Sequence, residues 1–130
     1  MKAMHSQLPE HERYPLPPRL IVESAAEKAE VEDDLNESHE TGLTYISHFG
    51  YGAATGAIYN EALQLADIEP TAANGMAYGL GVWTLSYLGL LPAAGILTPA
   101  TEHPARRNAL MIAAHIVWGA ALGATARRLN

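Results

Sequence analysis

The sequence predicts an all-α protein: a three-helix membrane-embedded bundle packed through glycine faces, preceded by a proline-rich segment and a short amphipathic helix. Three observations carry that expectation. Charged side chains crowd into the first forty residues and then vanish from 41–60, 71–101 and 108–126. Each of these stretches approaches or exceeds the roughly 20 apolar residues that a bilayer core requires of one helix. Each of the three expected spans also holds two glycines four residues apart: Gly52/Gly56, Gly75/Gly79 and Gly119/Gly123. Finally, His48-Phe-Gly-Tyr-Gly-Ala-Ala-Thr-Gly-Ala57 repeats as His115-Ile-Val-Trp-Gly-Ala-Ala-Leu-Gly-Ala124, with six of ten positions identical. The hydrophobic content of 48% would not decide the class, because globular domains reach it too.

The expected organisation is a polar N-terminal part over 1–35 and a membrane helical domain over 36–130. Pro9, Pro15, Pro17 and Pro18 keep the start extended and place a helix start after them, since proline suits the first helical turn. Residues 20–35 read as a short amphipathic helix with Leu20, Ile21, Ala25, Val31 and Leu35 on one side and glutamates on the other. Its polar face is acidic, so it should dock on protein rather than on anionic lipid. Met1-Lys2-Ala3-Met4-His5 is followed by no apolar run, so no cleavable leader is expected.

The first long helix is expected over 36–65, capped by Asn36 with Glu37 and Glu40 in its first turn. Leu43, Ile46, Phe49 and Ile58 are worth about −2 kcal/mol together on the insertion scale, barely offsetting Thr44, Ser47, His48 and Thr55. This helix therefore needs protein neighbours. The second is expected over 72–92, because 71–101 as one helix would span about 46 Å against a core of about 30 Å. Pro92, Gly95 and Pro99 supply the break. Residues 102–107 read as a polar turn, and the third helix as 105–128 with Arg127 and Arg128 at its C-terminal end.

The glycine pairs point to close helix packing, where the missing side chain lets backbones meet and gain dispersion contact. His48 and His115 precede their glycines by equal steps on helices that run the same way, which sets them at similar depth. They are expected to be interhelical polar contacts or a proton-linked pair, since imidazole titrates near neutrality. His5, His11, His39 and His103 lie in polar segments and read as exposed. Trp83 and Trp118 fall mid-span and are expected to fill space opposite glycine grooves.

Much is argued against. There is no cysteine, which excludes disulfides and thiolate ligands. Two histidines with no carboxylate in the same spans make a poor metal site, so no metal or other cofactor is expected. A net charge of −6 with an acidic cluster at Glu23–Glu40 opposes nucleic-acid binding. Glu61, Asp67 and Glu69 read as a solvated loop, and no nucleophile–base pair or paired carboxylates mark an enzyme.

The Leu16-Pro17-Pro18-Arg19 stretch, the His48-x-x-x-Gly52 helix, the Pro92/Gly95 break and the His115-x-x-Trp118-Gly119 helix closing on Arg127-Arg128 together resemble the YagU-like family of uncharacterised bacterial inner-membrane proteins. The resemblance implies a membrane protein of unassigned role, with a loose link to acid tolerance in one member, and brings no catalytic residues. Proteins of that kind carry a hydrophobic helix ahead of the Leu-Pro-Pro-Arg stretch, which implies either three spans here or a missing preceding helix. The functional expectation is a structural or accessory protein whose partners are the lipid bilayer and a second copy or another membrane protein. Its alternatives are a proton-linked transport or acid-stress protein using His48 and His115, and a soluble all-α domain.

Overall fold

The computed structural model describes residues 17–28 and 37–129, all of whose regular structure is helical. Helix α1 is Pro17–Lys28, α2 is Glu37–Leu65, α3 begins as Ala72–Thr84 and α4 is Ala105–Leu129. The Asn36 cap, Val31, Leu35, His5 and His11 lie outside the described residues. Pro17 and Pro18 open α1, where a missing N–H costs nothing. Val22 is buried, and α1 packs against α2.

Two helices end in the same way. Ile68 N–H donates to the Leu63 carbonyl and Asp67 N–H to that of Gln64, with Asp67 left-handed at φ 55°. At the other end of the fold, Ile96 N–H donates to Leu91 and Gly95 N–H to Pro92, with Gly95 at φ 69°. Both are Schellman closures, in which one left-handed residue turns the chain back to satisfy the last carbonyls. Aspartate tolerates that conformation through its short polar side chain.

Helix α3 starts from a reciprocal cap. Thr71 Oγ1 accepts from Asn74 N–H at 3.1 Å while Asn74 Oδ1 accepts from Thr71 N–H at 2.8 Å. Its far end widens into a π-helical segment, Leu85–Leu90, followed by a last α turn, Leu91–Ala93. Two residues account for the widening. Thr84 Oγ1 donates back to the Leu80 carbonyl, a bond that tends to bend a helix. Pro92 lacks an N–H and would press its ring on the carbonyl four residues earlier, which an ordinary turn cannot accommodate. In the widened turn Leu91 N–H reaches back five residues to Ser86 instead.

α3 and α4 form an antiparallel pair in the closest contact of the fold, each four-residue step up α3 meeting a four-residue step down α4. Helix α2 lies along this hairpin parallel to α4, with Gly52 opposite Trp118 and Gly56 opposite Leu122. Among the described residues the buried apolar set is thin, namely Val22, Tyr59, Tyr87, Ala100, Met111 and Ala126, and no large side chain is completely enclosed. Among the described residues, α4 is the one helix that is by itself long and apolar enough to cross a membrane.

Candidate functional site

The polar groups of the fold gather where the three long helices meet. Gly75, Gly79, Gly119 and Gly123 line the contact between α3 and α4, and all four are buried. A Cβ on Gly75 would strike the Gly119 carbonyl oxygen, and one on Gly119 would strike that of Gly75. A Cβ on Gly79 meets the His115 carbonyl, and one on Gly123 that of Thr71. Each carbonyl thus aims at a glycine Cα of the facing helix, the arrangement of weak Cα–H···O bonds between close-packed helices. Gly52 and Gly56 are placed differently: a Cβ there would meet side chains, Trp118 Nε1 at 4.0 Å and Leu122 Cδ1 at 3.3 Å.

Long side chains join α2 to this hairpin. The Tyr51 and Ser86 hydroxyls lie 3.0 Å apart. Tyr78 donates its hydroxyl to the Thr55 carbonyl at 2.6 Å, and Tyr59 donates to Asn74 Oδ1 at 2.6 Å. Tyr59, Tyr78 and Trp118 meet in sequence across the three helices as tilted ring contacts, with centroids 5.1 Å and 6.2 Å apart. Asn74 also donates from Nδ2 to the Glu69 carbonyl, so one amide serves the helix cap, the turn before it and the tyrosine of α2.

The π-helical turn buries Ser86 and Tyr87. Tyr87 stacks on Trp83, donates to Met111 Sδ at 3.9 Å and meets the edge of His115 at 6.0 Å between centroids. His115 is half-buried, and its Nδ1–H donates to the Met111 carbonyl at 2.8 Å. A carbonyl only accepts, so this bond fixes the tautomer and leaves Nε2 as the acceptor. His48 is exposed on α2 and lies within electrostatic range of His115. Thr44 Oγ1 and Trp83 Nε1 are buried without a hydrogen-bond partner among the described residues.

Several residues of this region are invisible to spacing arguments. Ser86 and Asn74 are ordinary polar residues until the fold brings tyrosines to them, although Thr71-x-x-Asn74 has the form of a helix cap. Arg107, which the sequence places in a polar turn, is only 5% exposed and lies within electrostatic range of Tyr87. His103, between α3 and α4, sits 3.0 Å from the Thr98 hydroxyl through Nε2. Burial holds it below the ordinary histidine value, with Arg107 acting the same way and Glu102 opposing. No group of three His, Cys, Asp or Glu residues suited to a metal ion occurs among the described residues.

Fold and site together define an all-α protein built on a glycine-seamed helix hairpin with a third long helix bonded along it. The chain belongs to the family described as "Protein of unknown function (DUF1440)", which matches residues 11–124. No curated protein and no solved structure matches it.

Proposed function

We propose that this chain is a small multi-pass integral membrane protein of structural or accessory role, with α2, α3 and α4 each crossing the bilayer. The observation that carries the reading is the outward-facing surface. Ile46 is 70% exposed, Phe49 69%, Ile58 60%, Leu85 62% and Val117 69%, on all three long helices. A domain of this length in water buries about two-thirds of its chain's surface, and each large apolar side chain left out forfeits about 1.5–3 kcal/mol. Lipid removes that cost, and close backbone packing through glycine supplies the cohesion that hydrophobic burial supplies in water. The uninterrupted helical run from Ala72 to Ala93 is about 33 Å long and uncharged, enough to span the hydrocarbon core. The YagU-like resemblance and a bacterial inner membrane agree with this reading, as does a partner helix or second copy on the outer face of α2.

Alkaline carbonate extraction of membranes from cells expressing the chain tests it. Retention in the extracted pellet is expected. Release as a folded, monodisperse protein overturns the membrane reading in favour of a soluble all-α domain.

A second reading, a proton-linked role for His48 and His115, is favoured by the fixed tautomer of His115 and by the reach of His48's charge to it. On that reading His48→Gln and His115→Gln each remove a pH-dependent phenotype at unchanged protein level. Loss of the protein itself marks both imidazoles as packing groups.

A further inference from the structure

The long helices are joined by two kinds of contact that tolerate movement differently. Between α3 and α4 the partners are backbone on both sides: the carbonyls of Thr71, Gly75, His115 and Gly119 against the glycine Cα atoms facing them. Nothing flexible lies between, so a tilt of an ångström breaks the whole row at once. Helix α2 is held by the ends of side chains: Tyr51 to Ser86, Tyr59 to Asn74, Tyr78 to the Thr55 carbonyl, and the Trp118 and Leu122 tips over Gly52 and Gly56. Side chains follow a moving helix by changing rotamer. One connection, 66–70, joins α2 to the hairpin, and its left-handed Asp67 closes onto α2 itself.

We propose that α2, carrying α1, moves as an arm against a rigid α3/α4 hairpin, turning about the 66–70 connection and parting along the tyrosine-bonded seam. The parted seam presents Tyr51, Thr55 and Tyr59 on α2 and Asn74, Tyr78 and Ser86 on α3, all hydrogen-bonding groups that water satisfies as well as each other. Thr44, whose buried hydroxyl has no partner among the described residues, lies on the same face of α2, at helical spacing from Tyr51 and Thr55. Both label pairs below read movement of one helix against another whatever surrounds the bundle, so failure of this proposal is distinguishable from failure of the membrane reading.

The absence of cysteine makes the test direct. Spin labels on Ala54→Cys with Val117→Cys report α2 against α4, and labels on Ala77→Cys with Val117→Cys report α3 against α4; all three positions are exposed. Distances measured by double electron–electron resonance on the full chain should be roughly twice as broadly distributed for the first pair as for the second. Tyr51→Phe with Tyr78→Phe should lengthen the first distance and leave the second unchanged. Amides of α2 in the unsubstituted chain should exchange roughly ten-fold faster than those of α3 and α4 at equal depth in the helix. Equal widths for both label pairs, or equal exchange in the three helices, overturn the proposal, and neither measurement depends on the double variant folding.

Discussion

Replacing Gly75 by alanine is the sharpest test of how α3 and α4 hold together. The added Cβ would meet the Gly119 carbonyl oxygen, Gly123 N at 2.9 Å and Gly123 Cα at 3.0 Å. All three are backbone atoms, so no rotamer change relieves the overlap and α4 must withdraw by about an ångström to restore ordinary contact. Forced overpacking of this kind costs about 1–3 kcal/mol, and each weak Cα–H···O bond broken by the withdrawal costs about 0.5–1 kcal/mol more. Alanine returns about 1 kcal/mol as a better helix former. With the four carbonyl–glycine contacts of the row broken together, the net expectation is a destabilisation of about 2–6 kcal/mol. Gly81→Ala is the matched control: the same substitution on the same helix, with nothing within 4 Å of the new atom. It should stabilise by up to about 1 kcal/mol. Titration of the protein with sodium dodecyl sulfate, followed through Trp83 and Trp118 fluorescence, reads both variants on one scale. Equal midpoints for Gly75→Ala and Gly81→Ala would refute the backbone-contact argument.

Two further expectations concern the ends of the hairpin. Asn74→Ala removes the acceptor of the Thr71 N–H together with that of the Tyr59 hydroxyl and the donor to the Glu69 carbonyl, and should cost more than the roughly 0.5–2 kcal/mol of a simple cap; Thr71→Ala, which loses only the acceptor of the Asn74 N–H, should shift the same denaturation midpoint less. His103 is held below 6.5 in the folded chain, so the unfolded chain takes up the proton first as pH falls. His103 therefore imposes no penalty above about 6.5 and a growing one as pH falls from there towards its folded value. An imidazole NMR titration midpoint below 6.5 is expected, and one at or above 6.5 contradicts it, while His103→Asn should flatten the acid limb of the stability profile.

The all-helical class was legible because the charge-free stretches are long and the turn residues lie between them. The Pro92/Gly95 break is of the same sort, since Gly95 takes the left-handed conformation that its missing Cβ permits. Asp67 does the same at the end of α2, yet one aspartate in a polar loop gives no signal in a single sequence. The π-helical turn was hidden too, because Leu-Ser-Tyr-Leu-Gly-Leu reads as ordinary apolar helix. Spacing treats the six paired glycines alike, but the fold sets four against backbone and two beneath Trp118 and Leu122. A four-residue interval fixes a face and says nothing of what meets it. Arg106 and Arg107 illustrate the same limit: adjacent helical residues point about 100° apart, so one is exposed and the other buried, and the pair of letters does not say which.

The tyrosine bonds along α2 bear on how the chain is made. Tyr59 waits for a partner 15 residues later, Thr55 for one 23 later, and Tyr51 for one 35 later. Helix α2 thus leaves the ribosome ahead of the groups it bonds to, by about two to seven seconds in the longest case at 5–20 residues per second. The glycine hairpin waits longer still, because Gly79 meets His115 36 residues later and Gly75 meets Gly119 44 residues later. Assembly accordingly follows synthesis: α2 finds its bonding partners once α3 is complete, and the backbone seam between α3 and α4 closes last.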